Sequence, residues 1–243
     1  MEVLDHGYIV EVESWGSDER IVEAARMSTG KGFLGWGPKH KSDCPNASNI
    51  YDCNCAEPGD EKLLRYLWEN KHHTPFEMAG LTVEVQAPIF VFREWHRHRV
   101  PFSYNEASSR YEPLPNLNYV PTVERLMLNS KTNKQAGTIK GAQELTESAA
   151  DGVRAMLTQS YEQAEVDYQR FLNMGVPKEL ARVHLPVGRY SKMRASSNLR
   201  GWLAFIELRA HTAAQYEIRV YAEALVELLR KRFPRTLKLA RPQ

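Results

Sequence analysis

Three observations in the sequence predict an α+β fold. Residues 7–15 (GYIVEVESW) alternate loosely between apolar and polar, and Leu81–Gln86 (LTVEVQ) alternate cleanly, at the period of a strand. In the second half Val153, Leu157, Tyr161, Ala164, Tyr168 and Phe171 recur at threes and fours, the period of a helix. Strands cluster early and helices late, with no repeat and no low-complexity tract. A chain of 243 residues can bury one good core, and we expect a single domain over 1–243.

Taken in order, residues 7–15 read as an edge or hairpin strand. Ser17 reads as the N-cap of a helix over Asp18–Met27, because its hydroxyl can accept from the first free backbone N–H groups. Residues 30–60 are rich in Gly, Pro, Asn and Asp and read as a long loop. A helix follows over Asp60–Asn70, carrying Leu63, Leu64, Tyr66 and Leu67. After the strand at Leu81–Gln86, Pro88 suits the first turn of a new helix, which should end by Val100 because the residue before Pro101 disfavours helical geometry. An irregular segment runs to about Thr138. Helices are then expected over Gln143–Met174, stopped by Gly175, and over Pro177–Leu185, closed by Pro186. Ser196 or Ser197 can cap a helix over Leu199–Ala210, and Thr212–Phe233 reads as a long amphipathic helix.

Composition narrows the function. The formal net charge is only +2, which is not the footprint of a protein that coats nucleic acid. No stretch approaches an apolar membrane span, and MEVLDHGYIVEVESW lacks the layout of a signal peptide. Three cysteines, an odd count, argue against a disulfide framework. We therefore expect a cytoplasmic protein with no membrane and no nucleic-acid partner. His40, Cys44, Cys53 and Cys55 have donor atoms suited to zinc but not the Cys-x-x-Cys spacing, so no metal is expected.

The informative stretch is Glu94–Tyr111, EWHRHRVPFSYNEASSRY. Four basic residues, His96 to Arg99, leave an apolar run and precede Asn105, Glu106, two serines and Arg110. On a helical wheel Arg93 and Arg97 share one face and Arg99 points nearly opposite. A half-buried guanidinium is costly without an anionic partner. Glu77, Glu84, Glu94 and Glu106 are the structural candidates. Phosphate ligands are the functional ones, since Arg binds phosphate bidentately and serines complete the cradle. A nucleic-acid-binding helix with Tyr104 and Tyr111 as stacking platforms is the alternative from another class.

Arg97-His98-Arg99, followed by eight residues and Ser108, resembles the signature of the flavin-dependent thymidylate synthases. The likeness extends to Asn105–Tyr111, to Ala24–Ser28, to His72–Glu77, to Asn198-Leu199-Arg200 and to Glu207–Ala210. It implies an antiparallel sheet with a helical C-terminal half, and synthesis of dTMP from dUMP. The methylene would come from 5,10-methylenetetrahydrofolate and the hydride from reduced FAD, regenerated by NADPH. It also implies a homotetramer with active sites shared between subunits. A flavin-binding homologue that has lost methyl transfer is a further reading.

Residue by residue, the resemblance assigns Ser28, Thr74, Arg97, His98, Arg99, Glu106, Asn198 and Arg200 to FAD. It assigns Glu94, Arg97, Glu106, Ala107, Ser108, Ser109, Arg110, Arg182 and Arg209 to dUMP, with Ser108 to Arg110 near the phosphate. Arg209 would also be catalytic, favouring ionisation at uracil N3, and His72 would lie near the flavin and folate rings. Ala204 stands where the family often has asparagine. Glu94 stands where glutamine is common, and either pairs with Arg93 or His98 or serves its ligand through the backbone.

Overall fold

In the computed structural model, which describes residues 1–37, 59–130, 133, 136–139 and 141–240, five strands form one antiparallel sheet. They are β1 (Glu2–Val3), β2 (Gly7–Trp15), β3 (Gly80–Pro88), β4 (Ser103–Glu106) and β5 (Tyr190–Asn198), in the order β1-β2-β3-β5-β4. The α+β reading and the antiparallel sheet hold. Residues 7–15 form a hairpin with β1, but they lie inside the sheet rather than at its edge.

The sheet's centre is the β3–β5 pair, matched from Gly80 opposite Asn198 to Pro88 opposite Tyr190. β5 was not expected from the sequence. Its inward positions include Ser191, Ala195 and Ser197, small residues that blur the apolar alternation while remaining buried. Ile9, Leu81, Val83, Val85, Met193 and Ala195 contribute the sheet's part of the core.

Helices cover that surface. The expected first helix is α1 (Asp18–Arg26), where the Ser17 hydroxyl accepts from Arg20 N at 3.3 Å. The next is α2 (Asp60–Glu69). The apolar run gives α3 (Ile89–Trp95), which stops well short of Val100; the wheel therefore does not apply to Arg97 and Arg99. Tyr104 explains the stop: its hydroxyl lies 2.9 Å from the Trp95 carbonyl and 2.7 Å from that of His98, so the chain turns around one phenol.

After the short α4 (Val123–Met127), α5 spans Glu147–Asn173, starting four residues later than expected because Thr146 caps it. α6 (Lys178–Ala181) and a 3-10 turn (Arg182–His184) match the expected short helix. α7 (Leu199–Arg209) is capped by Asn198 rather than by Ser196 or Ser197, which belong to β5. Its Trp202, Phe205 and Ile206 are buried, as are Ile218, Tyr221, Leu225 and Leu229 of α8 (Tyr216–Arg232).

α9 (Pro234–Leu239), unexpected from the sequence, is held by Asp18 of α1. That buried carboxylate accepts from Arg235 N, Thr236 N and Thr236 Oγ1 at 2.8, 3.1 and 2.6 Å. His40, Cys44, Cys53 and Cys55 lie outside the described residues.

Candidate active site

At the C-terminal end of α7, Arg209 turns its guanidinium onto the end of α3. Its Nη1 donates to Glu94 Oε2 at 2.5 Å, Nη2 to the Glu94 carbonyl at 3.2 Å, and Nε to His98 Nε2 at 2.9 Å. Its side chain is only 11% exposed. Glu94 therefore pairs with Arg209, not with Arg93 or His98. An arginine N–H can only donate, so His98 Nε2 must be an unprotonated acceptor and the ring proton sits on Nδ1. Burial, then the neighbouring Arg209 charge, push the His98 pKa from 6.5 to about 4; Glu94 opposes this and Arg97 adds to it.

Aromatic rings position this cluster. His98 lies 4.8 Å from Phe205, which lies 4.5 Å from Trp95. Phe102 meets Trp202 edge-on at 4.8 Å and stacks on Tyr104 at 5.6 Å. α7 approaches closely enough that a Cβ at Gly201 would lie 2.3 Å from Ser197 Oγ and 2.6 Å from Pro101 Cδ. Tyr104 is therefore committed to the fold and is not a free stacking platform. Arg97 and Arg99, between these anchors, are exposed and have no ion pair or side-chain hydrogen bond among the described residues. The structural pairings go elsewhere: Arg200 takes Glu77 at 2.5 Å and Arg194 takes Glu84 at 3.4 Å.

The loop after β4 brings the second predicted group together. Arg182 Nη1 donates to the buried Ser109 Oγ at 3.1 Å, and the Ser108 Oγ accepts from Arg110 N at 3.4 Å. Lys178 and Glu179, which sequence reasoning missed, hold this loop. Lys178 Nζ donates to the Tyr111 carbonyl at 2.6 Å, and Glu179 pairs with Arg110 at 3.1 Å. Nothing in the sequence marks them, because their role arises only when α6 meets the loop. Glu106 ends β4 opposite Met193, and Ala107 extends the ladder by donating to the Lys192 carbonyl.

The remaining residues gather around the N-terminal end of α7. Asn198 Oδ1 accepts from Gly201 N at 3.0 Å, and Arg200 reaches Glu77 of the Thr74–Met78 3-10 turn. Thr74 opens that turn and is exposed; His72, just before it, meets Tyr66 edge-on at 5.6 Å. Ser28 follows α1, which packs on the same turn, and its hydroxyl donates to the Ala25 carbonyl at 3.3 Å.

These three groups are spread along the sheet and its helices. Nine helical residues, roughly 14 Å, separate Arg200 from Arg209. Ala107 faces Lys192 while Asn198 ends β5, roughly 20 Å away along the strand. Two surface depressions, one lined by α5 and His184 and one by β1 and α8, contain none of the predicted residues.

Three groups of cations set along one antiparallel sheet suit an enzyme acting on anionic ligands. The chain belongs to the flavin-dependent thymidylate synthase family: residues 12–235 match the family described as "Thymidylate synthase complementing protein", and relatives named flavin-dependent thymidylate synthase align over nearly its whole length. The relative from Gluconobacter oxydans is 36% identical over 238 residues, 97% of this chain and 70% of its own. The one from Thermosipho africanus is 33% identical over 237 residues, covering 98% and 92%. Among solved structures, a UMP/dUMP methylase, PolB from Streptomyces cacaoi, bound with 5-Br dUMP, superposes with a TM-score of 0.76. It is 30% identical over 98% of this chain and 96% of that one.

Proposed function

We propose that this enzyme makes dTMP from dUMP by reductive methylation, using 5,10-methylenetetrahydrofolate as the methylene donor and NADPH as the source of reducing equivalents. The observation that carries the reading is Arg209, a nearly buried cation held by three contacts at a helix end, with one N–H on each of Nη1 and Nη2 left to donate. A fixed cation of this kind stabilises negative charge developing on a uracil ring at N3 without reorganising during the reaction.

The residues present fit a flavin dinucleotide. Arg97 and Arg99 are cations without an ion-pair partner among the described residues, which suits a diphosphate. Ser28, Thr74, His98, Glu106, Asn198 and Arg200 would complete its site, and His72 would lie beside the flavin and folate rings. FAD, when bound, supplies the hydride chemistry. On the substrate side, Ser109, Arg110 and Arg182 hold the phosphate with Ala107 and Ser108, while Arg97, Glu106 and Arg209 meet the rest of the nucleotide, and Glu94, which the resemblance also assigns to dUMP, stands bonded to Arg209. Ser108 is a phosphate ligand rather than a nucleophile, because no base is bonded to its hydroxyl among the described residues.

We read the protein as a homotetramer in which neighbouring copies complete each site. We take residues 1–243 as one domain working in the cytoplasm. A second reading, methylation of UMP, is favoured by the likeness to a UMP/dUMP methylase. The FAD-loaded protein, given folate and NADPH with dUMP or with UMP, separates them: dTMP alone supports the first reading, and a methylated ribonucleotide supports the second. A colourless protein that binds no FAD would remove both and favour a nucleic-acid-binding module.

A further inference from the structure

Glu94 is a carboxylate within 2.5 Å of the cation on which the proposed chemistry depends. A carboxylate so close could simply cancel that charge. The geometry argues for a different role. Glu94 holds Arg209 at two points, through Oε2 and through its own carbonyl, while His98 holds the Nε edge. The three contacts come from one short stretch, the end of α3 and the turn after it. That stretch is itself fixed by Tyr104 against the carbonyls of Trp95 and His98. Four rotatable bonds of the Arg209 side chain are thereby reduced to one orientation.

We propose that Glu94 is a positioning residue: it aims Arg209 through its hydrogen-bonding oxygen, and the Nδ1–H tautomer of His98 is the record of that aim. The inference rests on the reading of Arg209 as the group that meets the pyrimidine. It changes the place of Glu94 from a residue that touches the nucleotide to one that acts through Arg209. What Glu94 must supply is an acceptor, not a charge. Glutamine, which keeps an acceptor oxygen at the same reach, should serve in its place, and alanine should not.

The test uses the FAD-loaded protein and its variants Glu94→Gln and Glu94→Ala. In protein carrying 15N-histidine, with the His98 signal assigned from a His98→Gln spectrum, the wild type and Glu94→Gln should show His98 as Nδ1–H. Glu94→Ala should show a mixture of tautomers, because Arg209 is free to leave the ring. In turnover, Glu94→Ala should lose at least tenfold in kcat with less than a threefold rise in KM for dUMP, and Glu94→Gln should keep kcat within about threefold of wild type. Melting temperature and FAD content, measured alongside, should change little in either variant. A His98 tautomer unmoved by alanine, or a glutamine variant as impaired as the alanine one, would overturn the proposal. If the wild type makes no dTMP the proposed reaction fails, but the tautomer comparison still decides the role of Glu94.

Discussion

Arg209 Nε donates to His98 Nε2 at 2.9 Å, so a residue of the Arg-His-Arg triplet is an acceptor for another cation. The bond exists only while the imidazole is neutral. Because the folded pKa, about 4, lies below the unfolded value of 6.5, the unfolded chain binds this proton first as pH falls. The stability is therefore fully present above about pH 6.5 and is lost as pH falls toward 4. The unscreened difference would be about 3 kcal/mol, and partial solvent access reduces it to on the order of 1–2 kcal/mol. Urea midpoints measured from pH 7 to 4.5 should fall less steeply for His98→Gln than for wild type; parallel curves would contradict the bond.

Arg209→Ala should retain bound FAD, since the proposed diphosphate cations Arg97 and Arg99 are kept, and should lose dTMP formation by at least two orders of magnitude, a loss of about 3 kcal/mol in transition-state stabilisation. Arg209→Lys should recover little, because an ammonium cannot address Glu94 and His98 as a planar fork does. Flavin absorbance and steady-state turnover check both.

Arg182 reaches the buried Ser109 hydroxyl at 3.1 Å, placing a cation on the loop proposed to take the phosphate. Arg182→Ala should raise the dUMP dissociation constant by roughly tenfold to a hundredfold, the loss of one charge-assisted contact. Calorimetry should find deoxyuridine, which has no phosphate, bound equally by both proteins.

Gly201→Ala tests the approach of α7 to the turn at Pro101. Its Cβ would fall 2.3 Å from Ser197 Oγ, so the helix or the turn must shift, at a cost of about 1–3 kcal/mol. Thermal unfolding should show the loss, and FAD affinity should drop with it.

Asp18→Ala should destabilise the fold by about 2–4 kcal/mol while leaving residual turnover per folded molecule unchanged. It leaves the N–H groups of Arg235 and Thr236 without their buried acceptor, and none of Asp18, Arg235 and Thr236 is a proposed ligand contact. Chemical denaturation read against specific activity checks this.

The α+β class and most helices were legible because their periodicity is local: Ser17 as a cap and the strand at Leu81–Gln86 are properties of short windows. β5 was not, since Ser191, Ala195 and Ser197 look polar or neutral until β3 is laid beside them. The end of α3 was set by Tyr104, nine residues after Trp95, and the cap of α7 fell to Asn198 once β5 had claimed the serines. For the site, residue types along Glu94–Tyr111 showed a run of cations beside a polar loop. What they did not announce was the partner of Glu94: Arg209 lies 115 residues away, and only packing joins them.

Reductive methylation at C5 of dUMP, as proposed for this chain, must release the hydrogen at that carbon. The direct measurement is tritium release from dUMP labelled at C5, with the FAD-loaded protein, 5,10-methylenetetrahydrofolate and NADPH. Release should depend on all three additions and disappear in Arg209→Ala. No release from a folded, FAD-bound wild-type protein would contradict the proposed methylation.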